Sequence, residues 1–547
     1  MYRLYVFILF FPFLSFSQLN EGDVLFKINN QPVYAEEFIR VYNKNIELIQ
    51  DESQKDIDNY LELYINYKLK LSDAYLKKLD EKDSYKSELN KYSRQLKSSF
   101  LTDKISEEKL ILEAYDRTKY EVNVSHILIR IDEGNNDTIS SYNKALNLRK
   151  NLLKDSIESV IKSYHNGKDI IIENLGYFSA FKMIYKFENV AYSTKVGEVS
   201  MPFRTRFGYH ILKVNDKRVS LGEITVGHIM AYKNKAGAKE RIYSLYDSID
   251  KGSNFESLAK KYSEDKNTSF KGGRLNPFSS GQLNSIEFED VAFSLNERNE
   301  ISLPVETKLG WHIIKLYSKS KLKPIEDMKS VLSNKIKRSS RASVISDSFY
   351  QMLLDKYEVN YDNKNLEYFE SIINDKYLNN SWSIPDNLDE DKILITIRNR
   401  TYSFLDFATY IDDNQGKIKT KAKENTISSL YIDFINNNIL EMYKSNLEDE
   451  NKDYKYILKE YKEGLLLFDL MQEKIWNTAS KDSVKMKEFY ELNKSNYTSF
   501  DKDKGEITGD YQDFLENNWI KKLRKDNLIV INKRILKRIK KLLENNE

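Results

Sequence analysis

The feature that most constrains this fold is a duplication, because two stretches of the chain repeat one pattern of histidines. His126 and His210 are 84 residues apart, and so are His228 and His312, in a chain with only five histidines. The matching segments are VNVSHILIRI (122–131) with ITVGHIMAY (224–232), and TRFGYHILKV (205–214) with TKLGWHIIKL (307–316). The offset of 102 residues predicts two tandem copies of one domain, and the 547 residues leave room for others.

Shorter matches between the histidines follow the same order in both copies. They are NLGYF (174–178) with RLNPF (274–278), FENVAY (187–192) with FEDVAF (288–293), and VSMPF (199–203) with ISLPV (301–305). Each copy begins with an alternating apolar strand, which is followed by two amphipathic helices, a short strand, a third helix and a final strand. Both histidines of a copy lie on predicted strands. The pattern predicts two small α+β domains, each with an antiparallel sheet.

A second duplication flanks the first. Residues 25–45 resemble residues 393–414, and each stretch predicts two short strands followed by an amphipathic helix. Further helical matches follow, and a helix with a short strand ends each copy at 325–363 and 509–533. We expect each opening module to be completed by the closing segment that comes next in the chain. That arrangement predicts two helical lobes, of which only the first carries the inserted α+β domains.

The predicted fold class is therefore a multidomain α+β protein, with two α+β domains inserted in a mostly α-helical lobe and a second mostly α-helical lobe at the C-terminus. The predicted boundaries are 1–17 for a signal peptide, 18–120 for the first helical module, 121–218 and 222–318 for the two α+β copies, 319–363 for the closing helix and strand of the first lobe, and 364–547 for the second lobe.

The N-terminus is typical of a secretory signal. Arg3 precedes an apolar stretch from Leu4 to Leu14, and Ser15 and Ser17 supply the small residues that a signal peptidase requires. We expect cleavage after Ser17, export to the periplasm and no stable membrane insertion afterwards. The alternative is an uncleaved inner-membrane anchor, although the apolar stretch is shorter than the ~20 residues of a spanning helix.

Composition excludes several kinds of site. The chain has no cysteine, so disulfides and thiolate metal sites are impossible. Its net charge is +3 with both signs interleaved, which gives no reason to expect nucleic acid as a partner. The basic stretch 533–543 predicts an amphipathic helix with a solvated face. No two of the repeated histidines have i, i+4 spacing, so we expect no metal, and Gly272 and Gly273 predict a turn rather than a phosphate loop.

The second copy resembles the parvulin family of peptidyl-prolyl cis-trans isomerases. The matching residues are His228, Tyr262, Ser263, Glu264, Asp265, Gly272, Gly273, Arg274, Leu275, Gly281, Gln282, Leu283, Phe288, Glu289, Pro304, Val305, Glu306, Thr307, Gly310, Trp311 and His312. Two such domains between helical segments, behind a signal peptide, resemble the SurA-type periplasmic chaperones. The second helical lobe goes beyond that layout, so its role stays open.

The resemblance implies a site in the second copy that needs no cofactor. The apolar residues that would line the pocket for the proline ring are Leu275, Leu283 and Phe288. The residues of the buried polar network beneath it would be His228, Thr307 and His312. Asp265 would lie beside the substrate carbonyl and act electrostatically. An X-Pro bond rotates over a barrier of ~20 kcal/mol, and a site that binds the twisted amide more tightly than the planar amide accelerates the rotation.

The first copy matches the family less completely. The residues at the corresponding positions are His126, Leu175, Met183, Phe187, Thr205 and His210. Gly167 occupies the aspartate position, and Ile172 and Glu173 replace the paired glycines. We therefore expect the first copy to keep the fold and to be weak or inactive as an isomerase.

The resemblance implies an isomerase and chaperone for unfolded or nascent proline-containing polypeptides, with outer-membrane proteins as the expected clients. The alternative is a non-catalytic holdase that uses both parvulin domains as peptide-binding modules. A third hypothesis, a structural protein of the envelope, predicts neither isomerisation nor protection of clients.

Overall fold

The computed structural model describes residues 22–49, 52–131, 138–283, 285–361, 364–416 and 423–544. The predicted signal peptide, residues 1–17, lies outside these ranges. Within them, no helix is long and apolar enough to cross a membrane. The chain divides into two compact units, which we call the terminal unit (described residues of 1–100 and 445–547) and the middle unit (described residues of 101–444).

The elements before the first histidine repeat are β1 (Val24–Ile28), β2 (Gln31–Tyr34), α1 (Ala35–Asn45), α2 (Ile57–Leu76), α3 (Asp83–Ser98) and α4 (Lys104–Lys119). Those of the first repeat are β3 (Tyr120–Arg130), α5 (Ile139–Lys154), α6 (Ile157–Tyr164), β4 (Ile170–Phe178), α7 (Tyr185–Ser193), β5 (Phe203–Thr205) and β6 (Gly208–Val219). Those of the second repeat are β7 (Glu223–Tyr232), α8 (Ala238–Asp250), α9 (Phe255–Tyr262), α10 (Lys266–Ser269), α11 (Ile286–Ser294), β8 (Val305–Glu306) and β9 (Gly310–Ser320).

The elements after the second repeat are α12 (Ile325–Lys337), α13 (Arg341–Tyr357), β10 (Val359–Tyr361), α14 (Lys364–Ile372), β11 (Ile393–Ile397), β12 (Arg400–Ser403), α15 (Phe404–Asp413), α16 (Lys423–Glu450), α17 (Lys452–Met471), α18 (Asn477–Lys481), α19 (Ser483–Leu492), α20 (Lys504–Asp526), β13 (Ile529–Ile531) and α21 (Lys533–Glu544). A π-helical turn, Gln472–Trp476, joins α17 to α18.

Both histidine repeats form the predicted antiparallel sheets, and the α+β fold class is confirmed. In the first repeat the strand order is β4-β3-β6-β5. In the second it is β7-β9-β8, and residues 274–278 run beside the other edge of β7 through two isolated bridges. The first repeat therefore has a nine-residue strand with one register shift where the second has only isolated bridges.

Alternation along the strands divides the core of each repeat between the two faces of its sheet. In the second repeat Ile224 and Val226 pack with the apolar face of α11, whereas Ile229 and Ala231 pack with α8 and α9. A strand turns successive side chains to opposite faces, so His228, two residues after Val226, lies on the α11 side. The same alternation in β3 puts His126 on the side that α7 covers.

The terminal unit has a three-stranded sheet covered by amphipathic helices. Its strand order is β13-β1-β2, and α1 and α21 pack beside β1. In α21 the buried residues Ile535, Ile539 and Leu543 recur at i, i+4 spacing, so the predicted amphipathic helix at the C-terminus is confirmed. Together with Phe26 and Phe38 they form one apolar core.

The closing strands pair differently from the sequence-based expectation. The strand β10 of the first closing segment pairs with β11, which opens the second helical copy. The strand β13 of the second closing segment pairs with β1, which opens the first copy. The expectation that 319–363 closes the lobe opened by 18–120 is therefore wrong for these strands. Both closing segments have the same helix–strand pattern, so either could complete either hairpin, and only tertiary packing selects the partner.

Candidate functional site

Strand register brings the two histidines of the second repeat together. His228 lies on β7, and His312 lies on the neighbouring β9 directly opposite Met230. Since His228 is two residues before Met230, it shares a sheet face with His312. Both residues are buried, with 6% and 4% of their surface exposed. Their ring centroids are 5.4 Å apart and the ring planes differ by 11°.

The two imidazoles belong to a continuous hydrogen-bonded chain. Asp265 Oδ2 is 2.8 Å from His228 Nε2, and His228 Nδ1 is 3.1 Å from His312 Nδ1. His312 Nε2 is in turn 3.0 Å from Thr307 Oγ1. The structure thus brings together all four residues that the resemblance implied for the polar part of the site.

With both imidazoles uncharged, one arrangement of protons satisfies every bond of this chain. An ionised Asp265 can only accept, so His228 donates from Nε2 and must accept at Nδ1. His312 therefore donates from Nδ1 and accepts at Nε2 from the Thr307 hydroxyl, whose one proton also faces the Gly310 carbonyl oxygen at 3.2 Å. All donors point towards Asp265, so the whole chain supports a negative charge at the residue nearest the surface, whose side chain is 17% exposed.

The electrostatics agree with this arrangement. The hydrogen bond from His228 holds the pKa of Asp265 below its usual range, against the opposing effect of burial. Burial lowers the pKa of His312 to about 3, and the neighbouring His228 acts in the same direction. At neutral pH the site therefore has an ionised carboxylate above an uncharged His312.

Thr268 also belongs to the site, and the sequence analysis did not identify it. Its Oγ1 donates to Asp265 Oδ2 and lies 3.1 Å from His228 Nε2. The position follows from a short helix, because Asp265 caps α10 by accepting from the backbone N–H of Asn267. Asp265 and Thr268 are three residues apart, as in a helix cap followed by its first turn, and that spacing was the available signal.

Three apolar residues predicted for the proline pocket lie together on the same side of the sheet. Phe288 is 4% exposed, and Leu275 and Leu283 are half-buried against the same core. The Phe288 ring stands edge-on to His228 at 5.5 Å and to His312 at 5.3 Å. Such edge-to-face contacts fix the ring without using any polar atom of the imidazoles. An apolar surface therefore lies directly beside the polar chain.

The paired glycines form the turn that the sequence predicted. Gly273 has φ +81, and a Cβ there would lie 2.2 Å from the backbone oxygen of His228. This close approach lets the Gly273 carbonyl accept a 2.9 Å hydrogen bond from the backbone N–H of His228. Glycine is therefore required to dock this loop against the strand that carries the histidine.

The first repeat places its predicted polar residues nearby but leaves the chain incomplete. Thr205 Oγ1 is 2.8 Å from His210 Nε2, as in the second repeat. The rings of His126 and His210 differ by 61°, however, and no hydrogen bond joins them. Burial lowers the pKa of His126 to about 3 and that of His210 to about 4, and His210 adds to the shift of His126. Gly167 provides no carboxylate.

The apolar residues of the first repeat keep the arrangement of the second. Phe187 is buried, and Leu175 and Met183 are half-buried against the same core. The Phe187 ring stands edge-on to His126 at 5.6 Å and to His210 at 5.5 Å. The duplication thus preserves the apolar surface and interrupts the polar chain.

No group of three or more His, Cys, Asp or Glu side chains within the described ranges could hold a metal ion.

Residues 126–216 and 224–318 each match the family described as "Rotamase: PPIC-type PPIASE domain". The chain therefore carries two PPIC-type parvulin domains, and the predicted resemblance is confirmed. We refer to them as the first and second parvulin domains.

Two relatives and one solved structure illustrate the similarity. The chain is 30% identical over 208 residues to "Chaperone SurA" of Pseudomonas fluorescens, covering 36% of this chain and 48% of that protein. It is 32% identical over 146 residues to "Foldase protein PrsA 1" of Bacillus cereus, covering 26% and 49%. The chain thus spans about half the length of these curated relatives. A crystal structure of the peptidylprolyl isomerase PrsA from Bacillus anthracis is 31% identical over 26% of this chain and 62% of that chain, with a TM-score of 0.18.

Proposed function

We propose that this chain is an exported peptidyl-prolyl cis-trans isomerase and chaperone, and that isomerisation takes place mainly in the second parvulin domain. The observation that carries the proposal is the unbroken chain from Thr307 through His312 and His228 to Asp265, beside an apolar surface. Export is supported by the N-terminal apolar stretch. Unfolded, proline-containing polypeptides are the proposed substrates, and outer-membrane proteins the proposed clients.

The proposed mechanism is electrostatic. Leu275, Leu283 and Phe288 hold the proline ring, which leaves the preceding carbonyl free to rotate. A planar amide has more negative charge on its carbonyl oxygen than a twisted amide, because twisting removes the resonance. The Asp265 carboxylate, placed beside that oxygen, destabilises the planar form more than the twisted form. No covalent step is required.

The fixed hydrogen bonds make this carboxylate effective. Asp265 accepts from His228 and Thr268, so its charge stays in one place while the substrate rotates. Preorganised charge costs little reorganisation during the reaction, which is the usual source of electrostatic catalysis. The buried, uncharged His312 and Thr307 act on the substrate only through His228.

The test measures cis-trans exchange in a proline-containing peptide by NMR, using the full chain. We expect acceleration by the unaltered protein and at least a tenfold loss, about 1.4 kcal/mol, in the Asp265→Asn variant, because asparagine removes the charge from a similar shape. The control is Asp250→Asn, at an exposed residue that ends α8, and it should retain full activity. Equal rates in Asp265→Asn and the unaltered chain would contradict the proposed mechanism.

The second candidate function is a holdase without catalysis. The observation in its favour is the first parvulin domain, which keeps an apolar surface around Phe187 but has Gly167 at the aspartate position. A holdase predicts that the full chain suppresses the aggregation of an unfolded outer-membrane protein without accelerating prolyl exchange. If that combination is observed, the isomerase proposal fails and the holdase proposal stands.

A further inference from the structure

The first parvulin domain has a carboxylate beside its histidine, although not at the aspartate position. Glu173 lies on β4 directly opposite His126 on β3. Its Oε1 atom is 3.6 Å from His126 Nε2, and 53% of its side chain is exposed. In the second domain His228 instead receives its carboxylate from Asp265, in the loop before α10. A carboxylate therefore approaches the Nε2 atom of the first histidine in both domains.

The second domain cannot carry a side chain at the position of Glu173 for a steric reason. Gly273 corresponds to Glu173, and any side chain on it would collide with the backbone of His228. The first domain avoids this collision because its residues 170–178 form a β-strand, in which Glu173 pairs with His126 and does not have the positive φ of Gly273. The first domain thus has Glu173 with Gly167, where the second has Gly273 with Asp265. Each domain has one carboxylate and one glycine at exchanged positions.

The imidazole beside Glu173, that of His126, has two ring nitrogens available for hydrogen bonds. His126 is 7% exposed, and neither of its ring nitrogens has a hydrogen-bond partner in the described structure. A neutral imidazole has one donor and one acceptor, and a buried polar atom without a partner is costly. A small movement of the exposed Glu173 side chain would bring its carboxylate within hydrogen-bonding distance of Nε2. A bound ligand that orders Glu173 against His126 would therefore remove the free-energy cost of the unpaired ring nitrogen.

A cavity adjoins this pair. It has a volume of about 300 Å³ and lies between the two parvulin domains. Glu173, Leu175 and Met183 line it from the first domain, and Ile286, Phe293 and Lys308 from the second. Leu175 and Met183 are the residues that correspond to the proline-pocket residues Leu275 and Leu283. The volume is at the lower end of the range for ligand pockets, enough for a proline and part of its neighbours.

We propose that this cavity is a second prolyl-peptide site, in which Glu173 supplies the charge that Asp265 supplies in the second domain. Its ligand is an extended X-Pro segment, whose ring contacts Leu175 and Met183 and whose carbonyl faces the Glu173 carboxylate. The proposal rests on the function proposed above. The site is slower than that of the second domain, because Glu173 is not fixed by a threonine and His126 is not bonded to His210.

Both parvulin domains contribute residues to this proposed site. Ile286 is the first residue of α11 in the second domain, and a Cβ on Gly176 of the first domain would lie 2.9 Å from its Cγ1 atom. The second domain therefore forms the outer wall of a pocket whose inner wall belongs to the first. An isolated first domain would lack that wall, so the full chain is required for the test.

The experiment uses prolyl exchange by the full chain in the Asp265→Asn background, where the second site is weakened. We expect residual acceleration that falls at least about fivefold on adding Glu173→Gln. The matched control is Glu198→Gln, at an exposed glutamate of the same domain, and it should leave the residual rate unchanged. Ile286→Ser, which alters the wall without touching Glu173, should also lower the residual rate.

A residual rate that is unaffected by Glu173→Gln, or a complete absence of residual acceleration in the Asp265→Asn chain, would overturn this proposal while leaving the function of the second domain intact. A chain that does not accelerate exchange even with Asp265 in place would overturn the proposed function itself. The two failures are therefore distinguishable in one set of assays.

Discussion

The first and second parvulin domains share one fold but differ in the contacts of two corresponding glutamates, Glu188 on α7 and Glu289 on α11. In the second domain Glu289 accepts hydrogen bonds from the backbone of Gly281 and Leu283, so it only organises its own loop. In the first domain Glu188 accepts from Phe181 in its own loop and also pairs with Arg117 and Arg341. Those arginines belong to α4 and α13 of the middle unit.

The two domains therefore differ in how they are attached to the surrounding helices. The first domain is fastened to the helices by a buried ion pair network, in which Glu188 is fully buried and the Arg341 side chain is 1% exposed. Among the described residues of the second domain, Glu289 has no arginine partner, and the complete polar chain ends at Asp265. The first domain thus combines the buried ion pairs of Glu188 with an interrupted polar chain. The second domain has the complete polar chain and is not held by such ion pairs in the described structure.

The largest expected effect comes from breaking the buried ion pairs of Glu188 with Arg117 and Arg341, which we call the anchor. Arg341→Met removes one partner of the buried Glu188, and breaking a buried ion pair in this way typically costs 3–5 kcal/mol. We expect a loss of about 3 kcal/mol in the opening free energy of β3 and β6, measured by hydrogen exchange, because Arg117 remains at 3.0 Å from Glu188.

The matched control for the anchor is Glu289→Gln in the second domain. It should cost only about 1–2 kcal/mol and affect β7 and β9 alone, since its partners are backbone N–H groups of its own loop. Equal losses from Arg341→Met and Glu289→Gln would show that the two glutamates have the same role, and the comparison would fail.

A change of pH gives the next largest effect for a single group, through each of the two buried histidines of the first domain. Their pKa values are about 3 for His126 and about 4 for His210, below the ~6.5 of an unfolded chain. The unfolded state therefore binds more protons, and the stability contributed by each histidine is complete above about pH 6.5 and is lost as the pH falls towards 4. Each should contribute a loss of about 2 kcal/mol between pH 7 and pH 5.

Hydrogen exchange of β3 and β6 at the two pH values measures this slope. Replacement of His126 by glutamine removes one of the two titrating groups, so the pH-dependent loss should fall by about half. A slope that is the same in the His126→Gln variant would mean that this histidine is not held uncharged by burial.

Much of the fold was predictable because the repeats are long and their periodicity is local. The alternation in VNVSHILIRI and ITVGHIMAY placed both histidines on strands, and the family resemblance identified His228, Asp265, Thr307 and His312 as one group. These residues are brought together by strand register and a short loop. The alternation is local information, whereas the grouping of two histidines that are 84 residues apart came from the family resemblance.

The rest depends on tertiary choices that the pattern leaves open. The two closing segments resemble each other, so their sequences could not reveal that β13 pairs with β1 and β10 with β11. Glu173 appeared only as a departure from the glycine pair, because its approach to His126 depends on the pairing of β4 with β3. Glu188 and Glu289 occupy the same position in the repeat, so the repeat sequence does not distinguish them. The arginines that pair with Glu188 come from helices outside the repeat.

The most direct test of the central claim compares one hydroxyl group in the two domains. Thr307→Val removes the donor to His312 in the complete chain, and Thr205→Val removes the corresponding partner of His210 in the interrupted one. We expect kcat/KM of the full chain for a prolyl peptide to fall about tenfold with Thr307→Val, about 1.4 kcal/mol, and to stay within about twofold with Thr205→Val. Equal losses from both variants, or a larger loss from Thr205→Val, would contradict the assignment of isomerisation mainly to the second domain.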